Sequence, residues 1–528
     1  MWFALKNEHE SLSMVKKMKK KEILLLIVCF LIGFALRFYT FDQKSLWVDE
    51  VYTFNDSRDD LNGQIKYYKE NPTFLHPPLF FILTHLFYPF EKPERDLRIN
   101  PLIFGTLSIF MIYLLAKSFS PQIALPCTLS LTFMTYHIYL SQDGRSYSLL
   151  MFLGMTGLYF FLKHLQTSKK RYLLLVGFFF STLFYTSYSS IPFIALFQIL
   201  WFYQTDENKK NTFSSFLILN GAIFLLCLPW ILFFVLNYRG QPMMDPLHTE
   251  SIGFWGDIMY GVLNDWVTNL PLVITSTVLL LLLPLILKSK RNGFILLTVF
   301  ISPIGSLYLF CKLFNVTHFF TSRYFINFLP LFFVSIYLSL HAIEIKLGRL
   351  KTTIRLKALF VIFLVTSNLM ILPLYYRSEK QDFKGLVDYL NGQLRDGDSI
   401  FVRTKAYLPG ILHYFGANTT GRHYPILVSK NPEKGLEYRI SPIDQSKAVT
   451  IYHSKSCCAQ YLSEGNRLWI VVEKSSAKTL KEDSPCILKG FFDGSFANFR
   501  KFPTDASMYL FLWDPKSPGK KGIDVALD

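Results

Sequence analysis

The sequence predicts a polytopic α-helical membrane protein that ends in a small extracytoplasmic α/β domain. Three observations predict it. Of the 528 residues 51% are hydrophobic and 17% aromatic, with a mean hydropathy of +0.28, well beyond an ordinary soluble domain. The apolar residues gather in runs of about 20, the length that crosses a bilayer as a helix. The last stretch, 377–528, loses those runs and mixes helical with strand-like patterns over about 150 residues, an ordinary domain size. The aromatics are mostly Phe (52) and Tyr (29), which suit lipid-facing helices and headgroup belts. The formal charge of +17 lies in short basic clusters between apolar runs, with no continuous stripe or recognition motif, which excludes nucleic acid as a partner.

Residues 1–21 form a basic, cytoplasmic N-terminus with Lys16, Lys17, Lys19, Lys20 and Lys21. The first apolar run follows and ends in Arg37-Phe38-Tyr39 rather than at a small-residue cleavage site, so it reads as a retained helix over 22–40. Further spans are expected at 97–118, 121–140, 146–165, 212–236, 271–288, 292–311, 323–345 and 355–376. The run 172–203 is interrupted by Thr186-Ser187-Tyr188-Ser189-Ser190, and 76–90 is short and bracketed by prolines. Lys and Arg in short loops stay on the cytoplasmic side. The clusters at 163–171, 209–210, 288–291 and 346–357 all do so only if 172–203 is a hairpin and 76–90 does not cross. The expected membrane domain, 22–376, then has roughly eleven crossings, the N-terminus inside and the C-terminal domain, 377–528, outside. The first outer loop is 41–96, and SQDGR (141–145) and 237–270 share its side.

In the tail, FKGLVDYL (383–390) reads as a helix and SIFVR (399–403), LWIVV (468–472) and MYLFLW (508–513) as strands. Cys29, Cys127, Cys227 and Cys311 fall in or beside apolar runs and read as small hydrophobes. In an oxidising exterior Cys486 is free to pair with Cys457 or Cys458, a pairing that sequence leaves open.

Three polar clusters on the outer side are candidates for chemistry. Asp49 and Glu50 stand behind Trp47 on the loop after the first span, where an exposed acidic pair or the start of an interfacial helix through 50–70 is the plainer alternative. Trp47 reads as an interface anchor. His76-Pro77-Pro78 is stiffened by its prolines, although Pro-Pro also simply starts helices. Asp143 and Arg145 in SQDGRSY put an acid and a guanidinium at the outer ends of two spans, where ionisable groups tend to be functional. Arg98 and Arg323 begin two more spans at that interface; a guanidinium fork there suits a lipid phosphate, and equally an ordinary snorkelling anchor. Carboxylates and cations at the membrane surface fit sugar transfer from a polyprenyl phosphate. A base takes the acceptor's proton, cations stabilise the departing phosphate, and attack opposite it inverts the anomeric centre, by analogy with single-displacement glycoside chemistry.

These motifs, in order, are W-x-D-E, HPP-L, L-R-I-x-P (97–101), Q-x-x-R-x-Y (142–147) and R-Y-x-x-x-x-L-P (323–330). Their succession resembles the dolichyl-phosphate-mannose protein mannosyltransferase superfamily and its bacterial aminoarabinose-transferase relatives, across roughly 22–345. The resemblance implies the GT-C fold, a polyprenyl-phosphate sugar donor and an active site in the first outer loop. It implies Asp49 as catalytic base, with Glu50 supporting it or binding a divalent cation, and His76 near the donor phosphate with Arg98, Arg145 and Arg323. Tyr147 and Tyr324 follow from the same motifs as further cavity candidates. Many relatives read Q-E-A-R-x-Y where this chain reads Q-D-G-R-S-Y, so Asp143 keeps the acid with a shorter reach.

The expected function is a glycosyltransferase of the plasma (inner) membrane, using a glycan, lipid or protein acceptor amid membrane lipids. A flippase for lipid-linked sugars is an alternative, but the paired helix interruptions it calls for are missing from the sequence. A surface-polysaccharide polymerase or ligase is the other, distinguished by a diphosphate donor.

Overall fold

The computed structural model describes residues 20–70, 75–202, 209–239, 255–287, 290–313, 322–348, 355–416, 427–431, 435–440, 449–453, 467–483, 485–496, 506–516 and 522–523. The chain divides into two compact units: the first takes the residues up to Tyr39, Leu61–Leu83 and Arg98–Pro373, the second Thr40–Asp60, Thr84–Leu97 and Leu374–Asp528.

The first unit is helical. Ile99–Phe119 packs between Pro121–Phe133 and Tyr147–Thr167, Lys20–Phe38 lies against the first two of these, and Lys170–Phe184 lies against the third. Two glycines permit the close approaches. A Cβ on Gly33 would overlap the Ile109 side chain, and one on Gly105 would overlap Ser141. Exposed Leu25, Leu174, Leu225, Val235, Leu285 and Met370 carry the apolar surface that a spanning bundle presents to lipid.

Among the described residues five helices are long and apolar enough to cross a membrane, Pro93–Phe119, Tyr147–Thr167, Phe213–Asn237, Ser322–Gly348 and Leu356–Arg377. A sixth forms if Pro121–Phe133 and Thr135–Ser141, bent by 61°, are one span. Two of the runs expected from hydropathy are interrupted. The run 172–203 is split into Lys170–Phe184 and Ser190–Phe202 by its polar insert, and 271–288 into Leu270–Leu281 and Leu283–Ile286 with Pro284 at the second start. In 76–90 the helix is only Leu79–His85, seven residues, about 10 Å and too short to span.

The second unit is built on a seven-stranded sheet in the order β2-β3-β4-β1-β5-β7-β6. The strands are β1 (Ser399–Val402), β2 (Leu427–Asn431), β3 (Gly435–Ile440), β4 (Val449–His453), β5 (Leu468–Val472), β6 (Ile487–Phe492) and β7 (Met508–Trp513). The expected strands at 399, 468 and 508 are β1, β5 and β7. Only β1 with its neighbours β4 and β5 is parallel; β2, β3, β6 and β7 extend the sheet antiparallel. Strand β5 is apolar throughout because both of its faces are covered, as parallel strands require. Trp469 and Val471 join Phe383, Leu386 and Leu390 of the helix Phe383–Gln393, while Leu468, Ile470 and Val472 face Ala477 and Leu480 of Lys474–Asp483. Helix Phe383–Gln393 starts where the Asp382 carboxylate accepts from the Gly385 amide at 2.8 Å. Cys486 packs against the core around β5 and β7, and its expected partners Cys457 and Cys458 lie outside the described residues.

Candidate functional site

In the first unit the SQDGR turn is held by a lock between the first helix and a broken one. The helix Pro121–Phe133 stops at Met134, whose backbone is extended (φ −69°, ψ 110°), and resumes at Thr135. A break in a membrane helix frees carbonyls that no water can satisfy. The fully buried guanidinium of Arg37 meets that need, donating to Leu131 O (2.9 Å) and Thr132 O (3.2 Å), to Gly33 O (2.9 Å) of its own helix, and standing 2.7 Å from His137 Nδ1. Gln142 answers in the other direction: its amide donates to the carbonyls of Arg37 (2.8 Å) and Tyr39 (2.6 Å), capping the end of the first helix. Asp143 is wholly buried in the turn that follows. Its carbonyl accepts from the Arg145 amide at 2.6 Å, and Ser148 Oγ donates to Leu140 O across the turn at 3.0 Å. Arg145 is half-buried.

Arg323 and Tyr147 come together, the guanidinium 5.5 Å from the ring centroid, a cation–π distance. Arg323 sits second in a 3-10 helix, Ser322–Phe328, that leads into Leu329–Gly348; Tyr324 follows it, half-buried. Arg323 (8% exposed) and Arg98 (1%) are covered by protein, whereas a snorkelling anchor leaves its head among lipid headgroups. Sequence reasoning missed Asp265, 1% exposed, which accepts from Ser322 Oγ at 2.6 Å. Its only signal was membership of the loop 237–270, assigned to the outer side.

His76 is exposed, its ring 6.3 Å from that of Phe81. The segment around it docks on the polar insert of the 172–203 run and the residue before it: the Leu79 amide donates to Tyr185 O at 3.0 Å and the Tyr188 hydroxyl to Leu75 O at 2.8 Å. Trp230 Nε1 in turn donates to the Tyr188 hydroxyl at 2.9 Å. The insert is thus a dock for the HPP segment, a role its composition did not announce.

In the second unit the acidic pair lies in the first turn of a helix, Val48–Ser57, rather than on a loop. The expected continuation to residue 70 is instead a separate helix, Leu61–Glu70, which belongs to the first unit. The two acids separate in kind. Glu50 is wholly buried and its Oε2 accepts from the Trp47 amide at 3.3 Å, the back-reaching contact of a helix N-terminus. Asp49 is half-buried. Trp47, expected as an interface anchor, is 4% exposed with the Lys380 ammonium 5.6 Å from its ring centroid; it is a buried residue under a cation. The segment 44–48 that leads into the helix is fastened along its length. Lys44 Nζ donates to Tyr375 O and to Ser378 O at 2.8 Å, the Ser45 amide to Glu379 at 3.2 Å, the Leu46 amide to the Tyr414 hydroxyl at 2.8 Å and the Val48 amide to Gln381 Oε1 at 2.9 Å. The Tyr414 hydroxyl itself donates to Glu94 at 3.0 Å. Beside it His413 meets Phe54 of the acid-bearing helix edge-on, centroids 4.7 Å apart. Burial holds that imidazole down to about 4, with Glu94 opposing and Arg58 reinforcing the shift, so the contact is made by a neutral ring at neutral pH.

Among the described residues no group of three or more His, Cys, Asp or Glu is placed to hold a metal ion. In the second unit Asp49 is a half-buried carboxylate; the first unit, taken by itself, holds the buried carboxylates Asp143 and Asp265 and the guanidinium groups of Arg98, Arg145 and Arg323, a chemistry suited to an anionic group.

Residues 75–233 match the family model described as dolichyl-phosphate-mannose-protein mannosyltransferase. A search of curated protein sequences finds no match. Among solved structures, ArnT from Cupriavidus metallidurans, crystallised with undecaprenyl phosphate, superposes with a TM-score of 0.53 at 12% identity, over 93% of this chain and 97% of that one. An oligosaccharyltransferase from Archaeoglobus fulgidus gives 0.46 at 14% identity, over 78% and 62%. The ArnT likeness speaks to the fold, and the family match to the stretch that holds HPPL, LRINP and SQDGRSY. The chain is a multi-pass membrane protein of the GT-C glycosyltransferase fold, similar over that stretch to the dolichyl-phosphate-mannose protein mannosyltransferases.

Proposed function

We propose that the protein is a plasma-membrane glycosyltransferase that moves a sugar from a polyprenyl monophosphate to a hydroxyl of a glycan, lipid or protein on the outer face, with inversion. The observation that carries this reading is the division of the acidic pair. Glu50 accepts from the backbone at the helix start, while Asp49 is half-exposed; the stretch that follows it, 75–233, matches the mannosyltransferase family model. Further support is the fold shared with a protein crystallised with undecaprenyl phosphate.

In this reading Asp49 accepts the acceptor's hydroxyl proton as its oxygen bonds to the anomeric carbon. The bond from that carbon to the phosphate oxygen breaks, and polyprenyl phosphate leaves with the electron pair. His76, Arg98, Arg145 and Arg323 hold the phosphate, and stabilise it most as its charge grows. Asp143 keeps Arg145 in place through the turn they share, and Tyr147 and Tyr324 flank Arg323. Phosphate leaves readily, so the proton transfer at Asp49 is the step the protein must supply.

Asp49→Asn removes the base and keeps the shape. Transfer by the purified variant should fall by about 10²–10⁴-fold, the usual worth of a general base, with the thermal midpoint unchanged. Undiminished transfer would sink the assignment. Running the wild type on monophosphate and diphosphate lipid-sugars separates this reaction from a polymerase or ligase, which would turn over only the diphosphate.

A further inference from the structure

We propose that Asp265, acting through Ser322 and Tyr136, is a positioning residue that sets Arg323 for binding the donor phosphate. The inference deepens the proposed function and rests on the reading of Arg323 as a phosphate-binding residue. Three buried groups form one chain. Ser322 Oγ is 2.6 Å from Asp265 Oδ2 and 2.7 Å from the Tyr136 hydroxyl, and the three residues are 2%, 1% and 0% exposed. Ser322 has a single hydroxyl proton, and a carboxylate can only accept. That proton therefore goes to Asp265, and Tyr136 must donate to Ser322, so the direction of both hydrogen bonds is set by the charge at Asp265.

Asp265 is placed where a carboxylate depends on its partners. It lies in the last turn of Trp255–Val267, where the helix dipole disfavours an acid, and a buried carboxylate needs compensation. Arg323 is the residue after Ser322. The chain joins the helix carrying Asp265, the short helix carrying Tyr136 next to SQDGR, and the start of the 3-10 helix. A 3-10 stretch has poorer hydrogen-bond geometry than an α-helix, so its first residues depend on such outside anchors. With Ser322 pinned from two sides, Arg323 has one backbone position from which to reach over Tyr147.

The test measures binding of sugar-free undecaprenyl phosphate to the purified full-length protein, with phosphatidylglycerol as the anionic-lipid control. Ser322→Ala should weaken undecaprenyl phosphate by about tenfold and raise the donor KM while kcat falls less; Ser322→Thr, which keeps the hydroxyl, should restore both. Tyr136→Phe keeps the ring and serves as the second variant should Ser322→Ala fold poorly; it should shift binding in the same direction. The deciding readout is a double-mutant cycle: in Arg323→Gln, removing the Ser322 hydroxyl should cost no further affinity. A Ser322→Ala protein that binds undecaprenyl phosphate like the wild type, or additive effects in the cycle, would overturn the inference and leave the proposed function standing. If the wild type itself fails to prefer undecaprenyl phosphate over phosphatidylglycerol, both fall together.

Discussion

Asp49 and Glu50 are adjacent, yet one is half-exposed and the other wholly buried, and the cause is where the helix begins. With Trp47 as the residue before the first turn, Glu50 is three places on and can reach back to the orphan amide of Trp47, while Asp49 cannot. The motif singled out Asp49 as a candidate in the sequence. The role of Glu50 was not legible there, because two neighbouring acids look alike until the helix start is known. Trp47 was misread for a related reason: hydropathy places a Trp after a span at the headgroups, and only the Lys380 segment, more than 300 residues away, shows that it is covered. Glu50→Ala should lower stability by about 1–2 kcal/mol, the cost of a lost helix-start acceptor and a buried amide left unpaired. Glu50→Gln keeps an acceptor oxygen and should stay near wild type in both thermal midpoint and transfer. If Glu50→Gln instead abolishes transfer at unchanged stability, Glu50 belongs to the chemistry.

At the scale of elements, hydropathy found the apolar runs and missed their breaks. The run 121–140 reads as one straight span, and its internal proline, Pro126, does not even mark the interruption, which falls at Met134 inside an ordinary Phe-Met-Thr. What stabilises the break is tertiary. Arg37 caps the freed carbonyls from another helix, and a window of local sequence cannot contain that partner. The same holds for the insert Thr186–Ser190, legible as polar but not as a dock for the HPP segment. The Arg37 lock has a direct consequence. Arg37→Met should destabilise the bundle by about 3 kcal/mol, since buried carbonyls lose a charged donor. It should also lower transfer, because the turn carrying Asp143 hangs from the same helix. Thermal unfolding in detergent measures the first effect, and a midpoint equal to wild type would show that the break stands without its cap.

At the scale of the whole molecule, the division into two units follows partners rather than chain order. The tail was legible as a separate α/β domain from its strand patterns, but sequence offered no way to see that residues 40–60 and 84–97 fold with it. The joins are backbone amides of 45, 46 and 48 paired with side chains of Glu379, Tyr414 and Gln381, and an amide leaves no trace in residue type. The helix bearing Asp49 therefore begins on supports drawn from the tail, which under the proposed role of Asp49 makes that domain a support for the base. Tyr414 is the sharpest probe, since one hydroxyl accepts from Leu46 and donates to Glu94. Tyr414→Phe keeps the ring against His413 and removes both hydrogen bonds, about 1 kcal/mol each in stability. Loosening the segment before Asp49 should reduce kcat by about tenfold, because small displacements of a reacting group are costly. The donor KM should hold, because the residues assigned to the phosphate belong to the other unit. A rise in donor KM at unchanged kcat would show that the tail serves donor binding rather than the placement of the base.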